Sequence, residues 1–425
     1  MSCRKNGRSS TWPRGAVPAY LLADLRRFVL VSTPIFCAFC GEGFPVILLS
    51  NLRRHLAARF GRPAGAPSQP GTTPQPLDAA DAAEQVLPIE TCQPTAASFA
   101  GAGGPALHAA ANNPFHAWST APATLKMYRF RDVVLDRTHM VLLQHGRIIK
   151  ETNYLQPEAA LAALRVNPQT LIRQKITGAA ATCFDHWDTN YYHWIAHSVP
   201  TLHAILQRQP EAATTLILPK LTPWQTETIA LLGAAGLPAM QTEPGQQYFF
   251  QVVEYYDIVA GRADFAISPL ARAAYASMAA NLPPPTRPYR KIYIERGTNL
   301  NRNMPNEPAL AARLRARGYE TIMPERLSVA GQIALFQHAS IVVAQLGAGL
   351  ANIAFCQPGA IVYELLPSHH QNPCFLAMAM QGGLHYWGDV FETGVAASDH
   401  TSAWTADIDI DRVMQRLDEL ERFIK

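Results

Sequence analysis

The chain has 425 residues, 48% of them hydrophobic and 16% charged, with a formal net charge of +4. Those proportions describe a globular protein with sizeable apolar cores and room for two domains, and they exclude a largely disordered chain. The basic residues are scattered rather than striped and carry no nucleic-acid-binding signature. Seven cysteines at irregular spacing give no disulfide framework, and Cys37-Ala-Phe-Cys40 has neither a second pair nor a βαβ pattern around it. A reducing cytoplasm is the expected compartment.

Residues 1–62 are an uncertain N-terminal segment. Arg26-Arg27 precede a short apolar run at 28–41, below the roughly 20 apolar residues a spanning helix needs. No small-residue cleavage site follows it. Arg53, Arg54, Arg59 and Arg62 can hold the segment against anionic lipid at the inner face of the membrane, a peripheral contact. A start codon placed too far upstream explains it equally well. Residues 63–124 are rich in Pro, Ala, Gly and Thr without periodicity and are expected to be a mobile linker.

Ordered structure is expected from about Met127, in a first domain over 125–283. Strand-like runs at 133–135 and 140–144 lead into a His145-Gly146-Arg147 turn. A strand at 179–184 runs into Asp185-His186-Trp187-Asp188, and Thr189 or Asn190 then caps a long helix over 191–207. A strand at 215–218, a helix at 223–232 and a strand at 252–259 continue a βαβα alternation, which predicts a parallel sheet covered by helices. The proline run within 281–288 is the expected boundary. A second domain over 287–425 alternates again: strand 291–295, helix 306–317, strand 319–323, helix 328–339. It closes with an amphipathic helix at 409–423 that carries Val413, Leu417 and Leu420 on one face.

Within this second domain, residues 340–364 read as strand, glycine turn, short helix and strand. Gly347-Ala348-Gly349 breaks the apolar run, and Pro358-Gly359 stops the helix. A glycine turn between strand and helix aims backbone N–H groups at whatever lies above the sheet, a natural place for a diphosphate. Glu364 stands where an acidic residue meets a ribose hydroxyl in dinucleotide-binding units, although Asn352 replaces their third glycine. A tight structural turn without a ligand is the competing explanation.

Three segments in this order resemble glycosyltransferase family 61. They are Asn190-Tyr-Tyr-His193-Trp-Ile, then Ile292-Tyr-Ile-Glu-Arg296 with Arg302 and Asn306-Glu307. The third runs from Glu325 through Leu327-Ser328 and Gln332-Ile333 to Gly347-Ala-Gly-Leu-Ala-Asn352, Pro358-Gly-Ala and Glu364. The chain departs from the family pattern at Leu346, where a histidine is usual, at His197, where an acidic residue is usual, and at Glu295, in place of serine.

The resemblance implies an α/β, GT-B-like fold, two Rossmann-like domains facing a cleft, with a flexible N-terminal extension. It also implies inverting transfer of a sugar from a nucleotide-diphosphate donor to a glycan, lipid-linked glycan or protein hydroxyl, in a bacterial surface-polysaccharide setting. No metal or other cofactor is required in that reading. Arg296 and Arg302 would then neutralise the leaving diphosphate, and Gly347, Ala348, Gly349, Asn352 and Glu364 would cradle the donor. Asn190, Tyr192, Asn306 and Glu307 would contact substrate. His193 would be the base that takes the acceptor proton; packing between domains is the competing role.

Asp185 and Asp188 are spaced wrongly for a D-x-D metal motif. Tyr192, Trp194 and Trp187 can stack on a sugar or base, core packing being the commoner fate of such residues. Two other functions are open: a non-catalytic member that binds nucleotide sugar or glycan, favoured by Leu346 and His197, and a metal-dependent hydrolase using His193 and His197. The hydrolase lacks the glutamate of H-E-x-x-H.

Overall fold

The computed structural model describes residues 75–94, 122–173, 176, 178–208, 214–284, 289–297, 301–396 and 403–423. Residues 1–62, with the Cys37/Cys40 pair, and the linker stretches 63–74 and 95–121 lie outside them. All the described residues fall in one compact unit, residues 72–425. None of the described helices is long and apolar enough to cross a membrane.

The first sheet is built by β1 (Gln85–Cys92), β2 (Ala123–Asp136), β3 (Val141–Gln144), β4 (Arg147–Ile148), β5 (Leu171–Arg173), β6 (Ala180–Thr182), β7 (Thr215–Pro219), β8 (Ala239–Thr242) and β9 (Gln247–Tyr256). Its order is β4-β3-β2-β9-β6-β7-β8, with β1 also on β2 and β5 also on β9. The parallel part expected from the βαβα alternation is β9-β6-β7-β8. An antiparallel meander extends it, because β2 pairs antiparallel with β1, β3 and β9. The β3–β4 turn places His145 at φ 51° and Gly146 at φ 73°, the positive-φ pair that a two-residue hairpin demands.

The expected linker over 63–124 is corrected in part. Residues 79–82 form a helical turn and β1 pairs with β2 from Gln85–Arg129 to Cys92–Ala123. Glu90 on β1 accepts from Ser268 Oγ at 2.7 Å and from the Leu270 N–H at 2.6 Å, and Cys92 is fully buried. β1 is an edge strand carrying a proline and a register shift near Pro88, so its periodicity is too broken to read.

The second sheet comprises β10 (Arg290–Ile294), β11 (Glu320–Ile322), β12 (Ala339–Gln345), β13 (Ile361–Pro367) and β14 (His385–Phe391). All its pairings are parallel, in the order β11-β10-β12-β13-β14. Of the expected boundary stretch 281–288, residues 285–288 lie outside those described.

The main described helices cover the strands. Tyr191–His193, Trp194–Ser198 and Val199–Gln207 run on as one helix, α1, π-helical in its middle stretch. The others are α2 (Pro223–Leu231), α3 (Pro269–Ala279), α4 (Glu307–Ala316), α5 (Val329–Phe336), α6 (Cys374–Gly382) and α7 (Ile410–Leu420). Strand alternation sends Tyr293, Val343, Tyr363 and Leu365 to one face of the second sheet, against Leu310 and Leu314 of α4 and Val413, Leu417 and Leu420 of α7. Ile292, Val342, Val362 and Leu366 face the other way, into a core they share with Phe130, Trp194, Leu202 and Val253 of the first half.

Two polar ties reinforce that shared core. Tyr191 Oη donates to Asn352 Oδ1 at 2.8 Å. Glu227 on α2 accepts from the Val329 and Ala330 N–H groups, both at 2.9 Å, and so caps α5 in the other half with a carboxylate.

Candidate active site

Both sheets have a topological switch point, and a doubly wound sheet binds its ligands at the carboxyl ends of the strands there. In the second sheet the switch lies between β10 and β12, since β11 lies on one side of β10 and β12-β13-β14 on the other. In the parallel part of the first it lies between β6 and β9. The segments leaving all four strands meet at one cavity of about 690 Å³. Its walls include Trp187, Asn190, Tyr192 and His193 after β6, Gly261 and Asp264 after β9, Arg302 after β10, Gly347 and Ala348 after β12, and Cys374 after β13.

On the first-sheet wall, Asn190 caps α1, its side chain accepting from the Tyr192 N–H at 2.9 Å. That fixes the helix start and puts His193 one turn in. His193 is buried, and its Nδ1 lies 2.9 Å from Asp185 Oδ2. An ionised carboxylate only accepts, so His193 carries its proton on Nδ1 and keeps the Nε2 lone pair free. The π-helical turn then brings His197 under the same carboxylate, with Nδ1 at 2.5 Å from Asp185 Oδ2 and Nε2 at 2.7 Å from Asp264 Oδ1. Tyr154 Oη completes the chain, donating to Asp264 Oδ2 at 2.9 Å.

Burial alone would lower the His197 pKa. The Asp264 charge and the hydrogen bonds to both aspartates outweigh it and raise the pKa to about 10, so His197 is a buried imidazolium. Burial likewise works to raise Asp185, but its hydrogen bonds from His193 and His197 hold it well below the usual carboxylate range. Asp185, His193 and His197 have ligand atoms within 4.8 Å of one another, close enough for a metal ion, and their hydrogen bonds already satisfy one another. Asp188 is committed elsewhere, paired with the buried Arg137.

The opposite wall is cationic. Arg302 takes a left-handed backbone, φ 58°, a conformation that costs a non-glycine residue and marks an imposed position. Its Nη1 donates to the Leu346 carbonyl at 2.8 Å, and its own carbonyl accepts from Gln345 Nε2 at 3.3 Å. Arg296 lines a neighbouring cavity of about 410 Å³, together with Ala348 and Gly349. Its Nε is buried without a hydrogen-bond partner. Burial, and then the neighbouring Arg302 charge, depress the Arg296 pKa, and burial depresses that of Arg302. Among the described residues neither guanidinium forms an ion pair, an uncompensated arrangement that invites an anion.

The two glycines of the loop differ in what a side chain would meet. Gly347 has an extended backbone, φ 176°, and its need for glycine is spatial: a Cβ there would run into Arg296 Nη1. At Gly349 a Cβ would meet Ile294 Cγ2 and Pro324 Cγ at 3.5 Å, ordinary van der Waals contact. The helix that follows is a 3₁₀ helix, Ala348–Phe355.

Four residues expected at the ligand spend their side chains on hydrogen bonds within the fold. Asn352 is fully buried: Oδ1 accepts from Tyr191, and Nδ2 donates to Gln332 Oε1 at 2.7 Å and the Gly349 carbonyl at 3.0 Å. It braces the glycine loop rather than touching a donor. Glu364 shares the face of Val362 and Leu366 and is fully buried, with Oε2 accepting from Tyr386 Oη at 2.6 Å. Burial raises its pKa to about 8, so it is a neutral acid at pH 7, poorly suited to a ribose diol. Glu307 accepts from Tyr293 Oη and from the Arg296 and Gly297 N–H groups at 2.9, 2.9 and 3.0 Å, which shapes the Arg296 loop. Asn306 exchanges hydrogen bonds with the Ile408 backbone at 2.8 and 3.1 Å. Asp264 and Tyr154 carry no local sequence signal, since each reaches the site from a distant loop.

The family model described as Glycosyltransferase 61 matches residues 191–363. Among solved structures, the E. coli heptosyltransferase WaaC with ADP is similar at 11% identity and a TM-score of 0.30, with 60% of this chain and 99% of that chain covered. No curated protein matches the chain. The matched stretch holds the start of α1 with His193, both arginines and the glycine loop, and this stretch is a glycosyltransferase family 61 domain.

Proposed function

We propose that the chain transfers a sugar with inversion from a nucleotide-diphosphate donor to a hydroxyl of a glycan acceptor, in a GT-B-like arrangement. The observation that carries this reading is the facing of unlike walls. One cavity sets the unpaired Arg302 and Gly347 on the second-sheet side against the Asp185–His193 pair on the other.

The donor diphosphate lies at the β10/β12 switch point. Arg302 from the cavity and Arg296 from beyond the glycine loop neutralise charge as the bond to the anomeric carbon breaks. His193 Nε2 takes the acceptor hydroxyl proton in line with attack, and Asp185 stabilises the imidazolium that forms. The two guanidiniums supply the positive charge that a divalent cation supplies in other transferases, so no metal is required in this reading. The bacterial surface-polysaccharide setting rests on the family resemblance alone.

The test is a thermal-shift screen against UDP, GDP, CMP and their sugars, followed by kinetics on the donor that binds. A nucleotide at 100 times its Kd raises stability by about 2.7 kcal/mol. Arg302→Ala then lowers kcat at least about a hundredfold, more than it weakens nucleotide binding, and Arg302→Lys recovers part. Strict dependence on Mn²⁺ or Mg²⁺ together with normal turnover of Arg302→Ala would defeat this mechanism.

A further inference from the structure

We propose that Trp187 and Leu155 form an apolar rim on which a pyranose ring of the acceptor lies, its C–H face on the indole and one hydroxyl at His193. This rests on the reading of sugar transfer above and adds the chemistry and place of the acceptor.

Five large hydrophobic side chains are exposed among the described residues, and two of them, Leu155 at 68% and Trp187 at 42%, line the same cavity. Both are held there rather than left over. The Trp187 N–H donates to Asp185 Oδ1 at 2.7 Å, while the next residue, Asp188, is paired with Arg137 and accepts through its carbonyl from Gln225 Nε2 at 2.7 Å. The indole packs against His186 and His193, with ring centroids 4.3 and 4.5 Å away, and edge-on to Tyr154 at 5.8 Å.

Leu155 sits at φ 56°, a left-handed conformation that a leucine adopts only under constraint. The constraint is visible on both sides. Tyr154 is anchored to Asp264, and Asn153 clamps Gln156 through Oδ1 to its N–H at 3.0 Å and through Nδ2 to its carbonyl at 3.2 Å. The result is backbone strain that turns a leucine out to solvent at the mouth of the site.

The neighbour of the base identifies the occupant. A hydroxyl that gives its proton to His193 belongs to the acceptor, and of the three aromatic rings beside His193 in the cavity, Tyr154, Trp187 and Tyr192, the nearest and the exposed one is the Trp187 indole. The cationic groups for a diphosphate lie on the other wall. A pyranose offers one apolar face of C–H groups to an aromatic ring while its hydroxyls point sideways to water, whereas an extended peptide would seek a backbone partner.

Saturation-transfer-difference NMR tests this on the full chain, with methyl α- and β-pyranosides of glucose, galactose, mannose and N-acetylglucosamine as probes and the nucleotide found above as internal control. At least one pyranoside should receive saturation at its ring C–H protons. Its Kd should rise about fivefold or more in Trp187→Ala, with Trp187→Phe retaining part of the binding. Leu155→Gly should weaken the same pyranoside while the melting temperature holds or rises, because glycine relieves the strained φ. In each variant the nucleotide thermal shift should stay as in the wild type, which shows a folded donor site. Nucleotide binding with no pyranoside signal on the wild type, or a signal indifferent to both positions, overturns the rim and leaves the donor reading standing. If neither nucleotides nor pyranosides bind, both fall.

Discussion

Asp185 Oδ2 lies 2.9 Å from His193 Nδ1, and this one contact selects which ring nitrogen of His193 keeps its lone pair free. With the proton held on Nδ1, the Nε2 lone pair is free; with the opposite tautomer there is no base. Asp185→Asn can present its amide N–H to Nδ1 and stabilise that opposite tautomer. We expect its kcat to fall about a hundredfold or more, as for His193→Ala, within the usual range for a lost general base. The double variant should be little worse than either single one, because the two groups act as a unit. Additive losses in the kinetics would separate Asp185 from His193.

The glycine loop should respond unequally to the same change. Gly347→Ala places a methyl group where the Arg296 guanidinium lies, so that guanidinium must move and nucleotide affinity should drop tenfold or more, by about 1.4 kcal/mol at least. Gly349→Ala should change affinity less than twofold, since its Cβ finds only ordinary contacts. Calorimetric titration of both variants decides it, and equal effects would show that the loop is not shaped by Arg296.

Stability should fall as pH rises, for two separable reasons. His197 has a folded pKa near 10 against an ordinary 6.5, so its contribution is complete below 6.5 and is lost as pH climbs towards 10. Glu364 has a folded pKa near 8 against 4.5. The folded state therefore holds a proton that the unfolded state releases, and stability declines between those values. Each group adds a slope of about 1.4 kcal/mol per pH unit within its window. Glu364→Gln should remove the decline between pH 4.5 and 8, and its advantage over the wild type should be complete above 8. Denaturant melts at pH 5, 7 and 9 test this; parallel curves for wild type and variant would contradict the buried neutral acid.

Truncation should locate the start of the fold. A chain beginning at residue 75 should melt cooperatively, whereas one beginning at residue 95 loses β1, the Glu90 bonds to Ser268 and Leu270, and the buried Cys92. We expect the shorter chain to lose several kcal/mol or to aggregate through the uncovered edge of β2, within the marginal stability of a domain. Identical melting temperatures for the two would return β1 to the linker.

The second half was legible because its strands are continuous apolar runs between helix caps, so β10 to β13 and α4, α5 and α7 fall within a few residues of where they were expected. What the sequence could not show is direction. Motif spacing pointed Asn352 and Glu364 at a ligand, but strand alternation puts Glu364 beside Val362 and Leu366, and Asn352 turns back to Gln332. His193 and Arg302 were legible as residue types, and the cavity brings them together. Their partners were not. Asp264 meets His197 from 67 residues away, and the charge at His197 exists only because two carboxylates close on it.

The apolar core that runs unbroken beneath both sheets bears on how such an enzyme can be re-engineered. Ile292, Val342 and Val362 are packed into the same cluster as Trp194, Leu202 and Val253, and Glu227 caps a helix across the join. A chimera that took its C-terminal half from another transferase would have to re-fit that whole contact, not merely a linker. Sugar preference in this scaffold is therefore a property to be grafted one strand-end loop at a time, because its halves are not interchangeable modules.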